Sequence, residues 1–219
     1  MPGFKTEGVI LKRRNFGEAD RILTVFSLHR GKISVLAKGV RRITSRRAGN
    51  VELLNRVSMF LFPGKNFLIL TEAESFNTYP KLKEDLTLST YAYHIIELMD
   101  KLTAENQENR RLYFELVEVL KRLSRKPRQI LIRAFEAKIL SLMGFMSFKS
   151  DGVNVSHPRG VIASHLGNLL GSLESLSWDE IEKMEINEKE ALELERVLRY
   201  HLERVIEGQL KSRKFLKKI

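Results

Sequence analysis

The residues of this sequence best suited to chemistry are cations concentrated in the segment GKISVLAKGVRRITSRR at positions 31–47. No acidic residue follows until Glu52, so these positive charges reinforce one another. Positions 1–50 hold 12 basic and three acidic residues, a net +9 out of +11 for the whole chain. This segregation predicts a surface that binds a polyanion, although an isolated basic loop is often only a solvated surface.

Three groups of basic residues are candidates for phosphate contacts. The main group lies in the loop after the patterned segment and consists of Lys38, Arg41, Arg42, Arg46 and Arg47. A second bank closer to the N-terminus consists of Lys12, Arg13, Arg14 and Arg21, and Lys32, which lies between the two groups in the sequence, is a further candidate. The rival site is the basic C-terminal segment, with Lys211, Arg213 and Lys214.

Catalytic constellations are poorly supported by the sequence. Glu18 and Asp20 flank Arg21, and a turn that pairs its charges explains them better than an acid/base couple. His157 and His165 have no obvious third ligand, and the chain has no cysteine. No GxxxxGK[ST] or GxGxxG motif occurs. We therefore expect a non-enzyme without metal or cofactor; a hydrolase whose acidic residues meet only in the fold is an alternative.

Hydrophobic periodicity places the basic residues on short strands and their connections. An apolar alternation of period two predicts five strands, at about 5–14, 21–28, 33–38, 51–62 and 67–76. Five short strands in about 80 residues are typical of a small closed or nearly closed barrel. Most strand phenylalanines should be core, and one or two should stack on a base; the seven are Phe4, Phe16, Phe26, Phe60, Phe62, Phe67 and Phe76.

The period changes to about 3.6 at Tyr79 and Pro80, which predicts a domain boundary between residues 1–79 and 80–219. Helices are expected at about 83–102, 107–124 and 130–143. Ser177 with Glu180 predicts a capping box, and Asn187 predicts the cap of the last long helix.

Composition narrows the class of protein. A chain of 219 residues with 43% hydrophobic and 30% charged residues is typical of a soluble globular protein. No apolar run approaches the roughly 20 residues of a membrane span, and the N-terminus lacks the apolar core of a secretory signal. We expect a cytoplasmic protein with no membrane partner.

Several of these segments, in order, resemble the RecO family of bacterial DNA repair and recombination mediators. The N-terminal match comprises EGVILK at 7–12, GEADRIL at 17–23, HRGK at 29–32 and AKGVRR at 37–42, and the C-terminal match is QLKSRKFL at 209–216. The resemblance implies an α+β protein with an N-terminal five-stranded OB-fold β-barrel and a helical C-terminal domain. It also implies a nucleoid-associated protein that binds single- and double-stranded DNA and anneals complementary strands. Its implied partners are RecR, single-strand-binding protein and, indirectly, RecA, which it helps to load.

One segment departs from the family pattern. Many members carry a four-cysteine zinc module after the helix that corresponds to residues 135–145, whereas residues 149–167 here contain no cysteine. We expect a degenerate, metal-free loop there. The alternative function is a generic OB-fold RNA-binding protein, because the phosphate backbone is common to both nucleic acids.

Overall fold

The computed structural model of the chain describes residues 2–146, 156–157, 160–161, 164–206 and 210–212. Five strands form a closed barrel, as the sequence predicts. Their bounds are β1 Phe4–Phe16, β2 Asp20–Ser27, β3 Gly31–Ala37, β4 Arg56–Pro63 and β5 Leu68–Asn77. The order around the barrel is β1, β2, β3, β5, β4, and β1 closes on β4. All neighbours are antiparallel except β3 and β5.

Alternating apolar residues of the strands fill the barrel. Ile10, Leu23, Val35, Met59 and Leu61 are among its buried interior side chains. The turn from β2 to β3 is a tight hairpin, as expected, with Ser27 opposite Gly31. Gly31 has φ +61°, and a Cβ there would lie 1.8 Å from the carbonyl oxygen of Gln107, so only glycine fits.

Two predicted strand boundaries were wrong. β1 continues through Phe16, because residues 15 and 16 pair with Arg21 and Asp20 of β2. Residues 51–55, expected to start a strand, form a turn with Leu54 at φ +69°. Val51 and Leu54 are buried there without strand pairing, and the Asn55 amide holds the turn by donating to the carbonyl of Gly49 at 3.0 Å.

Helices follow the barrel, which confirms the predicted α+β class. Their bounds are α1 Pro80–Glu84, α2 Leu86–Leu102, α3 Arg110–Arg125, α4 Gln129–Leu142, α5 Ser164–Ser175, α6 Trp178–Lys183 and α7 Glu188–Ile206. The helix predicted at 83–102 is two helices, because Asp85 breaks the first and caps the second through Leu88 N. The Ser177–Glu180 capping box and the Asn187 cap of α7 are confirmed. Helix α5 is not among the helices predicted from the sequence.

The helices pack directly against the outer face of the barrel. Val9, Leu11 and Phe26 belong to the same buried apolar cluster as residues of α2, α3 and α4. β1 is therefore buried on both faces at this point. The division at residues 79 and 80 coincides with the change from strand to helix, but two domains remain a prediction, because one apolar core crosses the division. No described helix is long and apolar enough to cross a membrane.

Candidate nucleic-acid interface

The basic loop, residues 38–50, is fixed against the turn between β1 and β2. Gly39 N donates to Asp20 Oδ1 at 2.7 Å, and Arg41 N donates to the carbonyl of Ala19 at 2.9 Å. Gly39 has φ +65°, which lets the chain turn directly after β3. The carboxylate of Asp20 thus positions the loop, and both segments lie at one end of the barrel.

The Arg47 side chain also holds this loop, through hydrogen bonds to backbone carbonyls. Its Nη1 donates to the carbonyl oxygens of Leu70 at 2.7 Å and Thr71 at 3.2 Å, and its Nη2 donates to that of Lys38 at 2.9 Å. The side chain therefore connects the two ends of the basic run to β5. The sequence predicts a phosphate contact for Arg47, but three hydrogen bonds commit its guanidinium to holding the loop.

The remaining four cations of the main group, Lys38, Arg41, Arg42 and Arg46, are exposed. Within the described part of the chain, no carboxylate forms an ion pair with any of them. Among the described residues, one side-chain hydrogen bond involves these cations: Arg41 Nη1 donates to the carbonyl of Gly17 at 3.3 Å, which leaves the positive charge uncompensated. The folded protein already holds this loop in place, so little conformational entropy is lost when its four exposed cations contact phosphates. The loop is therefore well suited to bind a nucleic-acid backbone.

Three cations of the second bank have carboxylate partners, although the sequence predicts that the positive charge of this bank is unopposed. Glu52 forms ion pairs with both Arg13 and Arg21, the latter at 3.0 Å. Lys12 pairs with Asp100 of α2 at 2.6 Å. Arg14 is exposed and has no ion-pair partner among the described residues, so it alone of this bank resembles the loop cations.

The Lys32 side chain is also engaged in a contact that stabilises the fold. Its Nζ donates to the carbonyl of Asp100 at 2.6 Å and thereby joins β3 to the end of α2. Partial burial lowers the pKa of the Lys32 ammonium, and the nearby Asp100 and Glu105 carboxylates only partly offset this effect. Local sequence patterns do not show that Glu52 and Asp100 pair with these cations, because the partners lie far apart along the chain.

Two phenylalanines connect the loops at this end of the barrel. Phe16, which ends β1, and Phe67, which precedes β5, have ring centroids 6.4 Å apart in an edge-on arrangement. Phe16 is 47% exposed. The expectation that most of the seven phenylalanines are core was wrong, since Phe26 is the one that is fully buried. Alternation along a strand does not distinguish a barrel interior from an uncovered outer face.

Family models match most of the described chain. The one described as "Recombination protein O N terminal" matches residues 1–79, and "Recombination protein O C terminal" matches residues 83–147. The chain belongs to the RecO family. It is similar to DNA repair protein RecO of Pelotomaculum thermopropionicum, with 34% identity over 166 residues, 76% of this chain and 64% of that protein. The protein of the same name from Acetivibrio thermocellus is 37% identical over 154 residues, 69% of this chain and 61% of that protein. The chain thus covers less than two thirds of the length of these RecO relatives.

The segment expected to replace the RecO zinc module, residues 149–167, lies mostly outside the described residues. Within it, Ser156–His157 and Gly160–Val161 pair as two short antiparallel strands, β6 and β7. His165 Nε2 lies 2.6 Å from Glu190 Oε1. Among the described residues, no group of three or more potential ligands is arranged to hold a metal ion.

The C-terminal RecO-like segment is partly described. Lys211 N donates to Glu97 Oε1 at 2.7 Å, and Ser212 N donates to Glu97 Oε2 at 2.8 Å. Lys211 is exposed, and it borders a cavity of about 460 Å³ whose wall includes Leu86 and Tyr93 of α2. The other two members of the rival basic site, Arg213 and Lys214, lie outside the described residues.

Proposed function

We propose that this RecO-family chain is a DNA-binding recombination mediator in DNA repair and has no catalytic activity of its own. The observation that carries the proposal is the basic loop, in which Lys38, Arg41, Arg42 and Arg46 are exposed and lack described ion-pair partners. Membership of a family whose relatives are named DNA repair proteins supports DNA rather than another polyanion. Arg14 extends the contact surface toward β1.

Most of the other basic residues predicted to contact DNA either stabilise the fold or are paired with a carboxylate. Arg47 and Lys32 hold the loop and β3 in place, and Arg13, Arg21 and Lys12 bind phosphate only where a carboxylate partner releases them. Lys211 is a secondary contact, together with Arg213 and Lys214. Phosphate contacts fix the position of a strand without reading its sequence, so we expect binding to single- and double-stranded DNA of any sequence.

The Phe16–Phe67 pair gives the surface a preference for unpaired bases. OB-fold proteins bind oligonucleotides with the loops that follow β1 and β4, and these two rings lie at those loops. A base face packs well on an exposed aromatic ring, and such stacking contributes about 1–3 kcal/mol per base. Single strands can present free base faces to Phe16, whereas duplexes can offer them only at ends.

Strand annealing follows from the same surface. Two complementary single strands repel each other, and a shared cationic surface lowers that repulsion. Base pairing then drives the reaction without a nucleotide cofactor. We infer that the helical part presents a surface to RecR and single-strand-binding protein, and that the complex promotes RecA loading in the nucleoid region of the cytoplasm.

The test is annealing of complementary oligonucleotides with and without single-strand-binding protein. We expect the purified chain to accelerate annealing at low salt and to retain this activity in chelator. RNA oligomers that compete as well as DNA of equal length would favour the alternative, a generic OB-fold RNA-binding protein. Metal-dependent cleavage of the oligonucleotides would instead show a hydrolase.

A further inference from the structure

One fully exposed residue of the basic loop is apolar. Ile43 is 104% exposed, as exposed as an isolated side chain, and it belongs to neither buried apolar cluster. It occupies the second position of a β-turn closed by Ser45 N, which donates to the carbonyl of Arg42 at 2.9 Å. The turn therefore projects a branched hydrocarbon side chain into solvent.

The loop holds Ile43 in this position. Arg42 N donates to the carbonyl of Gly39 at 3.1 Å, and the Arg47 guanidinium fixes the far side through Lys38 and Leu70. These hydrogen bonds restrain the turn in which the Ile43 side chain is exposed. An exposed isoleucine is unremarkable on a mobile tail, but here a braced turn presents it.

The charges around Ile43 restrict what can cover it. Arg41, Arg42 and Arg46 are exposed on the same loop, and none has a described ion-pair partner. An apolar protein surface that covered Ile43 would have to desolvate these guanidinium groups without pairing them. A nucleic acid offers phosphates to the arginines and flat apolar base faces to the isoleucine at the same time.

We propose that Ile43 is an apolar wedge that enters between neighbouring bases of the bound nucleic acid. This inference rests on the proposed function, since it assumes that the basic loop is the binding surface. Proteins that separate adjacent bases commonly do so with an aliphatic or aromatic side chain flanked by cations. Bases of a single strand are only partly stacked, so the wedge acts most readily on single strands and on duplex ends. Unstacked bases are then free to pair with a second strand.

The experiment uses a short single strand that carries 2-aminopurine, whose emission rises when its neighbours unstack. Emission is recorded with the full chain at saturating concentration, so that a loss of affinity does not mimic a loss of unstacking. The variants are Ile43→Ala, Ile43→Leu and, as the matched control on the same turn, Thr44→Ala. Affinity and its salt dependence are measured in parallel for each protein.

We expect emission to rise with the wild-type chain, with Ile43→Leu and with Thr44→Ala, and most of the rise to disappear with Ile43→Ala. Affinity should fall about three- to tenfold in Ile43→Ala because apolar contact area is lost, with an unchanged salt slope. If Ile43→Ala binds and raises emission like the wild type, the wedge is wrong while the proposed function stands. If the wild-type chain does not bind the strand at all, the proposed function fails and the wedge fails with it.

Discussion

Arg47 Nη2 donates to the carbonyl oxygen of Lys38 at 2.9 Å, so the basic loop is closed by one of its own cations. The neighbouring Arg46 is exposed. We therefore expect two adjacent arginines of one basic run to have different roles, with Arg47 stabilising the fold and Arg46 contacting a ligand. Charge density alone does not separate these roles, because both residues contribute equally to it.

Substitution of the two arginines separately should distinguish the roles. Arg47→Ala removes three hydrogen bonds to carbonyl oxygens and should lower the free energy of unfolding by about 1–3 kcal/mol. Arg46→Ala should leave stability within about 0.5 kcal/mol but reduce the salt slope of single-strand binding by about 0.7. Urea unfolding measures the change in stability, and salt titration of DNA binding measures the change in slope. Equal destabilisation by the two substitutions would contradict the bracing role of Arg47.

Removal of Glu52 should strengthen DNA binding. Glu52→Gln releases Arg13 and Arg21 from their shared carboxylate, which places two further cations beside the loop. We expect affinity at low salt to rise several-fold and the salt slope to steepen by about 1. Glu185→Gln makes the same change in net charge at an exposed site before α7 and is the control. An equal gain with Glu185→Gln would show a general charge effect rather than release of the second bank.

Phe16 should contribute to the binding of single strands in particular. Phe16→Ala should weaken single-strand binding by about 1–3 kcal/mol and duplex binding much less, because bases inside a duplex cannot reach the ring. Phe76 is the matched control, since it is 57% exposed but lies at the other end of β5 from Phe67. Fluorescence anisotropy with both substrates gives the comparison. Similar losses on the two substrates would mean that Phe16 does not stack on bases.

The attachment of residues 210–212 should depend on pH. Burial opposes ionisation of Glu97, but hydrogen bonds from Ser212 and Lys211 outweigh it and hold the pKa of Glu97 below its ordinary value. A lowered carboxyl pKa stabilises the fold fully above the ordinary glutamate range, and this stabilisation is lost as the pH falls through the folded-state pKa. Because solvent partly screens Glu97, Glu97→Gln should cost at most about 1 kcal/mol at neutral pH, and it should flatten the decline of stability at acidic pH. Thermal unfolding of both proteins from pH 7 to acidic pH tests the contribution of Glu97. If stability falls equally with pH in the two proteins, Glu97 does not contribute this pH dependence.

The sequence predicts what depends on local pattern. Alternation around Ile33, Val35 and Ala37 placed β3, and the residue types of Ser177 and Asn187 placed two helix starts, because caps act within three residues. The sequence predicts a strand at 51–55, where the structure has a turn, because buried Val51 and Leu54 carry the same apolar signal in either conformation.

What the sequence does not predict depends on contacts between distant residues. Asp100 reaches Lys12 across 88 positions, and Glu52 reaches Arg21 across 31, so neither neutralisation is visible in a local count of charges. Ile43 could have been noticed as an isolated apolar residue in a polar run. Only the fold shows that a braced turn exposes it.

The most direct test concerns the basic loop itself. With about four phosphate contacts, the slope of log affinity against log salt for a single strand should be about −3, at roughly 0.7 per contact. Reversal of Arg41 and Arg42 to Glu should weaken binding to all sequences alike and flatten the slope by at least about half, while the same reversal of Lys189 and Arg196 on α7 should have little effect. Both double variants should fold, since these side chains are exposed. Unchanged affinity and slope in the Arg41 and Arg42 variant, together with loss of binding when Lys211, Arg213 and Lys214 are neutralised, would instead place the interface at the C-terminal segment.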